Sequence, residues 1–239
     1  MYLENLVIDA VEPQRLGRFW EAVINGERLT DDPDGFETRL IVKGGPALDL
    51  CFQRVDAPPS DPPRLHLDLV GGAGQAQEVQ RLLGLGARHL DVGGPQTPGV
   101  ALADPEGNPY RVIEGRAAYA HTGPLAAIRL DSARPDSDAG FWSWLTGWTD
   151  ASGIAPRSLR HPSLLGPLLE LSPEPAPKDT TKNRLHLDVR LETGDDPDHI
   201  ATSIAERGGR ALHPEWGELP WRLFADPSGN EFCVLPARS

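Results

Sequence analysis

The chain has 239 residues, 39% of them hydrophobic and 24% charged, a balance that suits domains able to bury a core. Its formal net charge of −12 argues against nucleic acid and anionic membrane surfaces as partners, because phosphate recognition needs a basic face. No apolar run approaches the ~20 residues of a membrane span, and the first dozen residues carry acids where a leader would carry bases. The two cysteines, Cys51 and Cys233, suggest neither a disulfide framework nor a CxxC metal pair. The expectation is a cytoplasmic protein.

In chain order, residues 3–10 alternate roughly and predict a strand. Pro13 suits a first helical turn, and Leu16, Phe19, Trp20, Val23 and Ile24 recur at helical spacing as far as Asn25-Gly26. Strands over 36–42 and 47–53 flank the Gly44-Gly45 turn. Residues 54–63, with four prolines, leave regular structure. A strand follows over 64–70, containing Arg64-Leu65-His66-Leu67-Asp68-Leu69. Its alternation places the three leucines on one face and Arg64, His66 and Asp68 on the other. A helix over 74–85 and strands near 87–91, 99–103 and 109–114 complete this half. The last two strands are separated by Asp104-Pro105-Glu106-Gly107-Asn108, a sequence with the chemistry of a turn.

Residues 117–124 read as a linker, and then the scheme restarts. Asp131 precedes Phe141-Trp142 by ten residues, as Asp9 precedes Phe19-Trp20. A helix over 132–145 is expected, capped by Ser132 or Asp136. Arg184-Leu185-His186-Leu187-Asp188-Val189 repeats the earlier strand 120 residues on, and Asp226-Pro227-Ser228-Gly229-Asn230 repeats the turn. A helix near 196–207 and strands near 210–213, 220–225 and 231–235 finish the chain. Two halves, 1–116 and 125–239, thus each contain two units of strand, helix and two or three strands, and four βαβββ units is the economical reading.

That order, with HLDL opening the second unit and DPxGN before the last strand, resembles the vicinal oxygen chelate superfamily, most closely its glyoxalase-like and bleomycin-resistance-like members. The resemblance covers essentially the whole chain. It implies an α+β fold of two tandem glyoxalase-like domains, each a pair of βαβββ units whose curved mixed sheet encloses a concave groove. In metal-dependent members a divalent ion (Zn, Ni, Fe or Mn) sits in that groove on His, Glu or Gln side chains. Carried over to this chain, the resemblance places Asn5, Gln53, His66 and Glu114 around a metal in the first domain, although an amide such as Asn5 is a poor ligand. In the second domain the matching positions are Ala127, about Ser172, His186 and Pro236, so no such metal is expected there. Alternation puts Tyr110, Val112 and Glu114 on one face, which lets Glu114 and His66 look into one groove. The plainer alternative makes His66 a structural feature of its strand, since His186 persists where the other ligands are gone.

The tryptophans carry a second reading. Trp20, Trp142, Trp144 and Trp148 sit at packing positions. Trp216 and Trp221 lie in 214–222, a segment without a counterpart in the first half, and such residues suit a pocket for a flat apolar ligand. Arg222 beside them adds charge selectivity, and the polar strand residues Asp68, His186 and Asp188 add hydrogen bonds. The expected function is binding of a small aromatic or polycyclic molecule by a monomer or homodimer. The alternatives are a divalent-metal-dependent enzyme of lyase, isomerase or dioxygenase type, and a non-catalytic interaction scaffold.

Overall fold

The computed structural model describes residues 1–57, 62–72, 74–91, 99–213, 217 and 219–238. Four βαβββ units follow one another. The first is β1 (Tyr2–Ala10), α1 (Pro13–Ile24), β2 (Glu27–Asp31), β3 (Gly35–Ile41) and β4 (Ala47–Arg54). The second is β5 (Leu65–Gly72), α2 (Gln75–Leu85), β6 (Arg88–His89), β7 (Val100–Ala103) and β8 (Pro109–Glu114). After a 3₁₀ turn at Ala117–Tyr119 come β9 (Leu125–Ser132), α3 (Pro135–Thr146), β10 (Thr149–Asp150), β11 (Arg157–Arg160) and β12 (Leu168–Pro173). The last unit is β13 (Leu185–Arg190), α4 (Pro197–Glu206), β14 (Arg210–Leu212), β15 (Arg222–Ala225) and β16 (Glu231–Leu235).

The units pair across the repeat. One eight-stranded sheet runs β14-β15-β16-β13-β1-β4-β3-β2 and joins the first unit to the fourth; we call it the outer sheet. The other runs β10-β11-β12-β9-β5-β8-β7-β6 and joins the second unit to the third, as the inner sheet. Both are mixed: β1 is antiparallel to β13 but parallel to β4, and β5 is antiparallel to β9 but parallel to β8. Each half therefore contributes one unit to each sheet. Alternation dictates which face of a strand is buried, whereas the choice among four similar neighbours depends on contacts far along the chain.

The apolar faces of both sheets bury against the helices in a shared core. Trp20 of α1 meets Tyr110 of the inner sheet edge-on at 5.2 Å, and Trp142 of α3 meets Phe232 of the outer sheet at 5.4 Å. Each indole N–H also donates to the aspartate of its half's DPxGN turn, Trp20 to Asp104 and Trp142 to Asp226, both at 3.1 Å. Those aspartates accept in addition from backbone amides two and four residues on and from the turn's asparagine side chain. The turn's glycine takes a left-handed conformation, φ 88° at Gly107 and 87° at Gly229, which a side chain would strain.

The repeated arginines clasp the halves together. Arg64 donates to Asn230 (2.7 Å), Glu174 (2.7 Å) and the carbonyl of Asp131 (3.2 Å), while Arg184 donates to the carbonyl of Glu106 (3.3 Å). α3 begins at Pro135, later than its sequence suggests, with neither Ser132 nor Asp136 as its N-cap. Ser132 instead accepts from the amide of Arg134 (3.1 Å) just before the helix.

Candidate functional site

The polar face of each RLHLDL strand looks away from the helices, and the two sheets use that face differently. On the inner sheet, register places Arg111 directly beside Asp68. Arg111 grips the fully buried Asp68 through both carboxylate oxygens, at 2.9 and 2.8 Å, and the Arg129 guanidinium approaches it to 3.2 Å. The neighbouring Glu170 is also fully buried, accepts from Tyr119 Oη (3.2 Å) and the Ile154 amide (2.9 Å), and has its carboxyl pushed up by burial. Those covering residues leave a cavity of only about 110 Å³ beside Ile113 and Tyr119. His66 lies at the end of this face, 3.6 Å from Asp131, on a cavity of about 310 Å³ between the two proline-rich links.

On the outer sheet the same strand positions hold His186, Asp188 and, directly beside Asp188, Cys233. They open on a cavity of about 600 Å³ that Asn5, Gln53, Phe36 and Trp221 also line. His186, Asp188 and Cys233 are 7%, 5% and 4% exposed. Their ligating atoms all lie within 4.8 Å of one another. Asn5 donates to Asp188 Oδ2 at 3.1 Å, and Asp188 Oδ1 is buried without a hydrogen-bond partner. Burial moves each group toward its neutral form. It holds His186 down to about 3, with Lys182 adding to the effect, and raises Asp188 to about 7. Burial, then the Asp188 carboxylate, also pushes the Cys233 thiol up. Asp32, Asp34 and Glu37 add acidic groups to the cavity wall, against Arg190, which is already engaged by Glu4 and the Pro236 carbonyl.

The structure redistributes the residues singled out in the sequence. Asn5 and Gln53 lie on the outer sheet, His66 and Glu114 on the inner, so the four do not surround one point. Glu114 also pairs opposite Gly72 on β5, six residues beyond His66, a separation of roughly 20 Å at ~3.3 Å per residue. Tyr110 and Val112, which were to orient Glu114 toward His66, are buried in the core on the helix side. The groove partner of the His66 face is Arg111. Gln53 donates to Asp9 at 2.7 Å. Asp68 is occupied by arginine, and Arg222 pairs with Asp198 at 2.7 Å on the surface. Trp221 does line the outer cavity, half-exposed, while Trp216 lies outside the described residues. Cys233 was missed, because a search for paired cysteines passes over one that meets a histidine and an aspartate from another strand.

Among the described residues, the His186–Asp188–Cys233 trio is the group that could hold a metal. An imidazole, a carboxylate and a thiolate are donors that a divalent transition metal accepts, and three protein ligands leave a position open to the cavity. A further cavity, about 730 Å³ along α1, lies away from both polar strand faces. Its arginines Arg15 and Arg18 are exposed and already paired with Glu12 (2.7 Å) and Asp31 (3.1 Å).

Glyoxalase I from Zea mays superposes on this chain with a TM-score of 0.66 at 15% identity, covering 98% of this chain and 92% of that one. A Bacillus subtilis protein provisionally described as a dioxygenase gives a TM-score of 0.63 at 15% identity, over 100% of this chain and 86% of its own. At such identities the likeness shows the fold alone. No curated protein sequence matches the chain at a significant level. The family model described as Glyoxalase-like domain matches residues 5–113 and again 127–235. The chain thus belongs to the glyoxalase-like domain family, as two tandem copies.

Proposed function

We propose that this is a small-molecule-binding protein whose ligand occupies the outer-sheet groove, flat against Trp221 and hydrogen-bonded by the polar floor. The observation that carries this reading is the contrast between two equivalent faces. The inner sheet fills its centre with Arg111, Arg129, Tyr119 and Ile154, whereas the outer sheet keeps about 600 Å³ open over His186, Asp188 and Cys233. A cavity of that size with a half-exposed indole on its wall suits a planar organic molecule. The acidic lining favours a cation. Titrating the protein with ethidium, a planar cation, should give saturable quenching of tryptophan fluorescence that Trp221→Phe largely removes. Anilinonaphthalene sulfonate, a planar anion, should bind more weakly. Absence of saturable quenching by either probe, or identical curves for Trp221→Phe, would sink the reading.

A second reading, a divalent-metal-dependent enzyme, is supported by the trio of buried donors on the outer sheet. There His186, Asp188 and Cys233 would hold the ion. A bound divalent ion supplies Lewis acidity toward a substrate oxygen. Asn5 donates to the Asp188 carboxylate from the neighbouring strand, and Trp221 gives substrate an apolar wall.

A further inference from the structure

The cavity of about 310 Å³ between the two proline-rich links is walled by Pro62, Pro63, Pro175 and Pro177. Two of the chain's three lysines, Lys178 and Lys182, also line it, as do both repeated arginines, Arg64 and Arg184, in a chain of net charge −12. The arginines are equivalent: the backbone carbonyl of Arg64 accepts from the Asp131 amide at 2.8 Å, and that of Arg184 from the Asp9 amide at 3.0 Å. Their guanidinium groups are not equally served. Arg64 donates from Nε to Asn230 Oδ1 and from Nη2 to the Glu174 carboxylate, both at 2.7 Å. Around Arg184 the matching residues are Asn108 and Val55. Val55 holds the place of Glu174, since their amides donate to Ala10 and Ser132, the matching ends of β1 and β9. Arg184 Nε and Asn108 Oδ1 are both buried without a hydrogen-bond partner. Among the described residues the Arg184 side chain makes one hydrogen bond, to the Glu106 carbonyl at 3.3 Å. The Glu106 carboxylate comes only to 3.7 Å, and its two oxygens already accept from the amides of Val11 and Glu12. A guanidinium so buried and so weakly matched calls for a negative partner.

We propose that Arg184 anchors a second small-molecule site, separate from the outer groove, that binds an organic monocarboxylate. The ligand's carboxylate plays on Arg184 the part that Glu174 plays on Arg64, and its apolar body lies against the prolines. The planar fork of a guanidinium matches a carboxylate in shape as well as charge. A single negative charge follows from the local balance. Lys182 is met by Asp9 at 2.5 Å, Lys178 by Glu231 at 3.4 Å and Arg64 by Glu174 at 2.7 Å, which leaves Arg184 the least compensated cation. Of the acids on the cavity itself, Asp131 faces His66 at 3.6 Å and Asp179 is exposed. The volume lies at the small end of ligand pockets, so the ligand has one ring or a short chain.

The test is calorimetric titration of the full chain with benzoate, beside benzamide as its uncharged counterpart. One benzoate per chain should bind, and benzamide should bind roughly tenfold more weakly or worse. Ethidium at saturation should leave the benzoate isotherm unchanged. Arg184→Gln should weaken benzoate binding by roughly tenfold or more. Val55→Glu should weaken it as much by the opposite route, because it gives Arg184 the internal carboxylate that Arg64 already has. That variant adds a partner instead of removing one, so it keeps the proposal exposed even if Arg184→Gln does not fold. Failure of the wild type to bind benzoate, equal binding of benzamide, or full benzoate affinity in Val55→Glu overturns the site. Phenyl phosphate bound more tightly than benzoate overturns the assignment to a monocarboxylate. Benzoate displaced by ethidium belongs to the outer groove, which overturns this site and leaves the groove reading standing.

Discussion

His186 and Asp188 sit two residues apart on one strand and pull the stability of the metal-free protein in opposite directions. The His186 imidazole is held at about 3, below its ordinary 6.5, so unfolding takes up a proton between those values. The stability tied to it is present above 6.5 and is lost as pH falls toward 3. Asp188 is raised from 3.8 to about 7, so its contribution is present below 3.8 and is lost as pH rises through 7. In chelator, urea unfolding at about pH 4.5 and about pH 7 should show His186→Gln gaining on the wild type as pH is lowered. Asp188→Asn should gain as pH is raised. Parallel pH profiles for the two variants would contradict this account of the floor. Neither shift was legible in the sequence, because His-x-Asp reads the same in both copies while its burial depends on what the other strands bring.

At the scale of elements, the sequence told most where a motif satisfies itself locally. The DPxGN turns were legible because their hydrogen bonds are made within five residues, and the helix tryptophans because their spacing marks a buried face. Their link was not legible, since Trp142 and Asp226 are 84 residues apart in the chain. Replacing Trp142 by Phe keeps much of the apolar contact but leaves the buried Asp226 one donor short. That change should cost ~1–3 kcal/mol, read by urea denaturation. A loss no larger than that of an exposed substitution would make the indole N–H dispensable. The edge strands β2 and β10 escaped for the opposite reason: β2 is a run of mostly polar residues and β10 is two residues long, so neither carries a periodic signal.

At the scale of the molecule, the repeat and the four units were readable, but which units share a sheet was not. Reading each half as self-contained put Asn5 and Gln53 with His66. The sheets instead bring Asn5 to Asp188 and give Asp68 to Arg111. The same cross-pairing makes the halves interdependent. Residues 1–116 alone lack β13, whose register with β1 completes the outer sheet, and β9, which completes the inner. Expressed singly, either half should be largely unfolded or associate with a second copy, as circular dichroism and size-exclusion chromatography would reveal. A folded, monomeric half would contradict the role given to the cross-repeat sheets.

The outer groove, and not its inner counterpart, is the proposed working surface. The ethidium titration, repeated on His66→Ala and His186→Ala, tests it through equivalent residues of one repeated motif. Affinity should stay close to wild type for His66→Ala and fall clearly for His186→Ala. Binding lost in His66→Ala and kept in His186→Ala would contradict it.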